Sequence, residues 1–234
     1  MLDLVIMRFS SSHLKLRRAR KHIDEVAKII KDYNADGVKV TANESAGSFS
    51  FSMELPPMPE DMRLVLGDAV HNIRSALDSM AVEMADMAGK DGTKVSFPFA
   101  KSAAELGDQI RRKNFHWCGE DAVSLVTEFA PYVGGNEQLR AIHDLDMIDK
   151  HRGLMPVPAF AFDAVTFTRE DLGDGQYGPI TVGLPENQKL EFRFDPSTNL
   201  GEREIVETLV SLVELCESIL EGFAALDPVE QATD

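Results

Sequence analysis

Apolar residues recur along this chain with two different periods, and each change of period marks a boundary between elements. Ala19, Ile23, Val26, Ile30 and Tyr33 step by four and three, one stripe of an amphipathic helix. Ser10, Ser11 and Ser12 are its cap candidates, and Asn34 and Gly37 are its stop. The period then drops to two. Phe49, Phe51, Met53 and Leu55 alternate with Ser48, Ser50, Ser52 and Glu54, the pattern of a half-buried strand. Val38 to Ala42 is its expected hairpin partner, across a loop containing Asn43 and Gly47. After Pro56, Pro57 and Pro59 the helical period returns. Leu66, Val70, Ile73, Leu77, Met80, Met84 and Met87 repeat with heptad spacing to about Ala88, a stripe made for close packing on another helix. The methionines at this spacing read as core fillers.

Two shorter helices are expected near Ser102–Lys113 and Glu120–Phe129, after a packed turn at Phe97-Pro98-Phe99. Gly134-Gly135-Asn136 opens a further helix that ends at Arg152-Gly153. Three or four strands follow, marked by Phe160 and Phe162, Val165 and Phe167, Ile180 and Val182, and Leu190, Phe192 and Phe194. Gly173, Gly175, Gly178 and Pro179 are the expected turns between them. The last helix, about Glu202–Phe223, carries Ile205, Leu209, Leu212, Cys216, Ile219 and Phe223 on one stripe. The expected class is therefore α+β: a core bundle of three to four long antiparallel helices with short antiparallel strands inserted between them. Residues 1–226 read as one such domain and 227–234 as a frayed acidic tail.

Composition narrows the function classes. Two cysteines, Cys118 and Cys216, form neither a disulfide framework nor a metal spacing. The opening residues are too few and too acidic for a signal peptide, and no apolar run approaches the roughly 18 residues of a membrane span. A cytoplasmic protein with no membrane partner is the expectation. The net charge of −15 opposes broad binding to nucleic acid. It is unevenly spread: Lys15, Arg17, Arg18, Arg20, Lys21 and Lys28 crowd one segment, while Glu202 to Asp234 is heavily acidic. No phosphate-binding glycine loop, nucleophile elbow, CxxC or HExxH occurs.

The chemistry concentrates in two helices. Beside the heptad stripe of the second runs another line, Gly67, His71, Arg74, Asp78, Ala81 and Ala85. Small residues flank its three charge-bearing ones, so this line is expected to be covered or to border a cleft. The other helix ends in His143-Asp144-Leu145-Asp146-Met147-Ile148-Asp149-Lys150-His151-Arg152. There His143, Asp146 and Lys150 share a face, and Lys150, His151 and Arg152 suit the negative end of the helix dipole. Three of the six histidines fall in these two segments.

The run Leu66-Gly67-Asp68-Ala69-Val70-His71-Asn72-Ile73-Arg74-Ser75-Ala76-Leu77-Asp78, with Phe97-Pro98-Phe99, Asp149-Lys150-His151-Arg152 and Arg17-Ala19-Arg20-Lys21-His22, resembles a widespread family of uncharacterised bacterial proteins. That resemblance spans most of the chain and implies no activity. More loosely, the helices resemble the HEPN class of small ribonucleases and nucleotide-binding bundles, in which an Arg is followed four to six residues later by a His at a dimer interface. After Arg74 this chain has Ser79, Met80 and Ala81 instead; Arg17 and His22 do have the spacing.

Three readings of the constellation follow. In the first, His71, Asn72, Arg74 and Asp78 with His143, Asp146 and Asp149 form a satisfied polar network that holds helices in register, in a scaffold or interaction module. In the second, RNA is cleaved without metal. His71 or His151 takes the 2′-hydroxyl proton, Arg74 stabilises the phosphorane, Asn72 adds a hydrogen bond, and Lys150 or Arg152 steers the backbone. In the third, Asp68, His71, His143 and Asp146 hold a divalent metal for hydrolysis, as two i,i+3 pairs facing each other. No other cofactor is expected, and a homodimer through helix packing is the expected assembly.

Overall fold

The computed structural model describes residues 8–35, 39–45, 48–161, 166–174, 176–183 and 189–226. The first helix, α1, spans Ser10–Ala35, and the hairpin β1 Lys39–Ser45 with β2 Ser48–Glu54 follows. Then come α2 Glu60–Met87, α3 Ala103–Arg112, α4 Glu120–Phe129 and α5 Glu137–Arg152. β3 Val157–Ala161, β4 Thr166–Gly173, β5 Gln176–Gly183, β6 Lys189–Arg193 and α6 Ile205–Ala224 complete the order. Described residues are mostly helical, and the strands form three separate two-stranded antiparallel ladders, β1–β2, β3–β6 and β4–β5. The class is α+β.

The two periods seen in the sequence have their physical counterparts. α1 lies against α2 in the opposite direction. Ser12 Oγ donates to the Ala76 carbonyl (2.7 Å) near one end, and Tyr33 Oη to the Pro56 carbonyl (2.7 Å) near the other. α6 packs on both. The Arg8 guanidinium donates to the carbonyls of Ala224 (2.7 Å) and Leu226 (2.8 Å), capping the orphan acceptors at the end of α6. Leu16, Ile23 and Val26 of α1, Leu66, Ile73, Leu77 and Met80 of α2, and Leu209, Leu212, Cys216 and Phe223 of α6 are buried together. α5 adds Leu139, Ile142 and Leu145 to the same core.

Three local expectations are corrected. Asn43 pairs with Ser50 inside β1 rather than standing in the loop. Gly178 and Pro179 lie within β5, not in a turn. Two residues there oppose the single Glu170 between the Tyr177–Asp171 and Ile180–Arg169 pairs, a bulge that tolerates a residue without an N–H. α6 starts at Ile205 because residues 203 and 204 are held extended by the β6 end. Phe194 N donates to the Arg203 carbonyl (3.0 Å), and the Glu204 side chain caps the helix through Glu207 N (2.6 Å). Val38, Phe162, Val165, Gly175, Gly37, Gly47 and the tail 227–234 lie outside the described residues.

α5 sits where it does because its ends are defined by local chemistry. Asn136 Oδ1 accepts from Leu139 N (3.0 Å) at the start, and Gly153, at φ +72°, takes the chain out. It runs against α2 in the opposite direction, with His71 beside Asp146, Gly67 beside Asp149 and Arg63 beside Gly153. This seam brings together His71, Arg74 and Asp78 of α2 with His143, Asp146, Asp149 and Lys150 of α5.

Candidate functional site on the α2–α5 seam

Gly67 sets the closeness of the seam. A Cβ there would stand 2.6 Å from the Asp149 Cγ, so only glycine lets the carboxylate sit on the α2 backbone. Burial raises the Asp149 pKa, and the nearby Asp146 and Asp68 carboxylates raise it further, against a hydrogen bond from Leu154 N and the charge of His71.

One turn further along α2 the polar residues divide into two groups. The inner group is at least half covered, and Arg74 is its buried member. Arg74 lies in the α2 interior with its Cζ 4.6 Å from the Phe99 ring centroid. Its Nη1 is 2.5 Å from Asp78 Oδ2, an ion pair in which the angles do not make a hydrogen bond; Nε and Nη1 are buried without hydrogen-bond partners among the described residues. The other Asp78 oxygen accepts from Phe97 N (2.9 Å), which ties the Phe97-Pro98-Phe99 segment to α2. His143 stacks on the same Phe99 ring (5.0 Å between centroids, 17° between planes). Burial first, then the Arg140 and Arg74 charges, lower its pKa from about 6.5 to about 4. Its Nδ1 has no hydrogen-bond partner among the described residues. His143 is therefore a neutral ring at pH 7. Arg140 grips Asp144 in a fork (3.1 and 2.6 Å) and donates to the Ala100 carbonyl (2.8 Å), while Asn199 also bonds Asp144.

The outer group faces solvent. Asp146 is only 3% exposed, yet its two oxygens meet two exposed side chains. His71 Nδ1 is 3.0 Å from Oδ1, and Lys150 Nζ is 2.5 Å from Oδ2. The His71 side chain is 55% exposed, and its Nε2 is 3.2 Å from Ser75 Oγ. An ionised carboxylate only accepts, so Nδ1 carries the ring proton, and Nε2 accepts from the serine hydroxyl. A carboxylate thus orients an imidazole, which in turn holds a hydroxyl.

The remaining expected site residues are elsewhere. Asn72 turns back along α2 and donates to the Asp68 carbonyl (2.8 Å). His151 and Arg152 are exposed at the end of α5; Arg152 lines a groove with Leu154, Phe194 and Asp195. The four residues expected to share a metal do not converge, because His143 is stacked on Phe99 while His71 and Asp146 pair with each other. Among the described residues no group of three or more His, Cys, Asp or Glu side chains is placed to hold a metal ion. The covered line of α2 is interrupted at two places: Gly67, Arg74, Ala81 and Ala85 are buried, but His71 is exposed and Asp78 half-buried. Cys118 is a buried thiol pushed up to about 12, within 3.6 Å of the Ala81 carbonyl, and is no nucleophile.

Sequence reasoning missed Ser75, Phe99 and Arg140. Ser75 had a signal, its i,i+4 spacing from His71. Phe99 was legible only as part of a packed turn, since an aromatic in a loop carries no periodicity that points to its partners. Comparison with family models, curated proteins and solved structures gave no match. The site must therefore be read from its own chemistry.

Proposed function

We propose that the chain is a protein-interaction module in which α1, α2, α5 and α6 act as one antiparallel bundle and the inner part of the α2–α5 seam fixes their register. The observation that carries this reading is the burial of Arg74 between Phe99 and Asp78. A guanidinium held there is spent on the fold and is not offered to a substrate phosphate. Asp78 and Phe99 attach the 97–99 segment to α2 through the same cation, and Asp144 attaches the 195–200 turn to α5. The seam is a register device of the kind that buried polar groups supply in other helical assemblies. A face for a partner lies at the other end of α2. There Leu64 (64% exposed) and Met155 (55% exposed) line one groove with Met58 and Pro156. A second copy of the chain is the partner that accords with helix packing. Light scattering of the full chain is the test: a dimer that Leu64→Glu dissociates with the fold intact supports it, and a monomer at every concentration refutes it.

A second reading is favoured by one specific observation, the exposed ring of His71 held by the buried carboxylate of Asp146 beside Lys150. These groups suit metal-independent RNA cleavage, with His71 taking the 2′-hydroxyl proton and Lys150 meeting the phosphate. Arg17, Arg18, Lys21 and Lys28, all exposed on α1, would add a local basic surface to an acidic protein. Cleavage of labelled RNA in chelator that His71→Ala abolishes supports this reading. Intact RNA in the presence of the wild-type chain ends it.

A further inference from the structure

Every other helical hydroxyl with a recorded hydrogen bond back along its own helix behaves in the ordinary way. Thr127, Thr208 and Ser211 each donate to the carbonyl four residues earlier. Ser75 does not. Its Oγ is 3.2 Å from the ring nitrogen of the residue four earlier, and that ring is held from its other side by Asp146. Ser75 also lines a groove of about 390 Å³ between the start of α1 and the second half of α2, with Ser11, Lys15, Asp78, Ser79 and Glu83. A volume of this size accepts a small molecule.

We propose that Ser75 is a nucleophile, with His71 as its general base and Asp146 orienting that base, and that the groove takes a small uncharged or cationic carboxylic ester. The three roles are those of a serine–histidine–aspartate relay, which geometry and not chain order defines. Ser75 Oγ forms a bond to the ester carbonyl carbon as its proton passes to His71 Nε2, and the carbonyl electron pair moves onto oxygen. When that pair returns, the bond to the alcohol oxygen breaks, and the alcohol leaves with the proton from Nε2. Water then gives a proton to His71 and attacks the acyl carbon; the acid departs and Ser75 regains its proton. Asp146 stays a carboxylate throughout and balances the imidazolium. Lys150, on its second oxygen, fixes the carboxylate in place. Lys15 and the Ser79 hydroxyl, which lies one turn beyond Ser75, are the groove's donors for the oxyanion. The substrate class follows from charge: Asp78, Glu83 and Asp86 line the groove against a single lysine, which disfavours an anionic ester.

This inference goes beyond the interaction module; it shares His71, Asp146 and Lys150 with the RNA reading but alone requires Ser75, so the two are told apart at that residue. The purified full chain is incubated with a fluorophosphonate probe, and the modified residue is located by peptide mass; hydrolysis of 4-nitrophenyl acetate is followed in parallel. Modification at Ser75 is expected. Ser75→Ala should abolish both signals, and His71→Gln should slow them by about 10²–10⁴-fold. Both side chains are at the surface of α2, so melting curves should show the variants folded. Asp146→Asn, which keeps the shape, should slow labelling while the denatured chain shows none. RNA cleavage, if present, should survive Ser75→Ala. The inference is overturned if the folded wild-type chain is not labelled at Ser75, if Ser75→Ala is labelled equally, or if the rate is indifferent to His71.

Discussion

Arg74 and Lys150 each meet a carboxylate of the seam, and their surroundings make the two pairs unequal. The Arg74 side chain is 11% exposed against 37% for Asp78, and the Lys150 side chain 52% against 4% for Asp146, so the buried member is the cation in the first pair and the carboxylate in the second. Arg74→Ala removes a buried cation, its packing on Phe99 and the partner of Asp78. It should lower stability by about 2–4 kcal/mol in urea titrations. His71→Ala removes an exposed ring, and should change stability by less than about 1 kcal/mol. The contrast separates a residue that holds the fold from one that faces a ligand. If both substitutions cost the same, the division of the seam into an inner and an outer group is wrong. His71 is also the residue whose surroundings the sequence left open at this scale. Its line on α2 could be read as covered, but the turn at which α5 uncovers the ring depends on the crossing of two helices.

At the scale of the element, α2 and α5 depend on Gly67. Alanine is the better helix former by about 1 kcal/mol, which would favour the substitution in an isolated helix. Here the added Cβ would displace the Asp149 carboxylate, 2.6 Å away at Cγ, and with it the bond from Leu154 N. Gly67→Ala should therefore destabilise the chain by about 1–2 kcal/mol, as overpacking does, read as a lower urea midpoint. The buried face of α5 also brings a pH dependence. The His143 pKa in the fold is about 4, below its ordinary 6.5, so the unfolded chain binds more protons between those values. Stability from this group is complete above about pH 6.5 and is lost as pH falls through 4. Asp149 acts in the opposite sense: its raised pKa means that the folded state keeps the proton more tightly, and stability from it is lost as pH rises from 3.8. His143→Phe should flatten the decline between pH 6.5 and 4 in a series of melting temperatures, with the stacked contact to Phe99 preserved; an unchanged slope would show that His143 is not the group responsible.

For the whole molecule, closure of the chain on itself and net charge set the terms. Arg8, ahead of α1, caps the carbonyls that α6 leaves open at Ala224 and Leu226, and so joins the two ends of the described chain. Arg8→Ala should raise hydrogen exchange in the last turn of α6 and cost about 1.5–3 kcal/mol, the range for a hydrogen bond to a charged group. The charge of −15 repels itself, so added salt should raise the melting temperature between about 0.01 and 0.5 M, where the screening length falls below the size of the protein. The sequence by itself determined the type and order of the helices and the β1–β2 hairpin, though not the exact ends of α6 or the course of β5, because hydrophobic period is a local property. It determined the buried stripes of α1, α2 and α6 and the cap at Asn136 for the same reason, and the methionines at heptad spacing proved to be core. It also located the constellation, since His71, Arg74 and Asp78 share one helix and His143, Asp146 and Lys150 another. Only the tertiary structure decided which of these residues meet. Asp146 chose His71 and Lys150, His143 chose Phe99, and Arg74 was sealed beneath the 97–99 segment. Those choices follow from the closeness of α2 and α5 at Gly67 and from a loop that returns to α2, distances between segments far apart in the chain that no local pattern encodes.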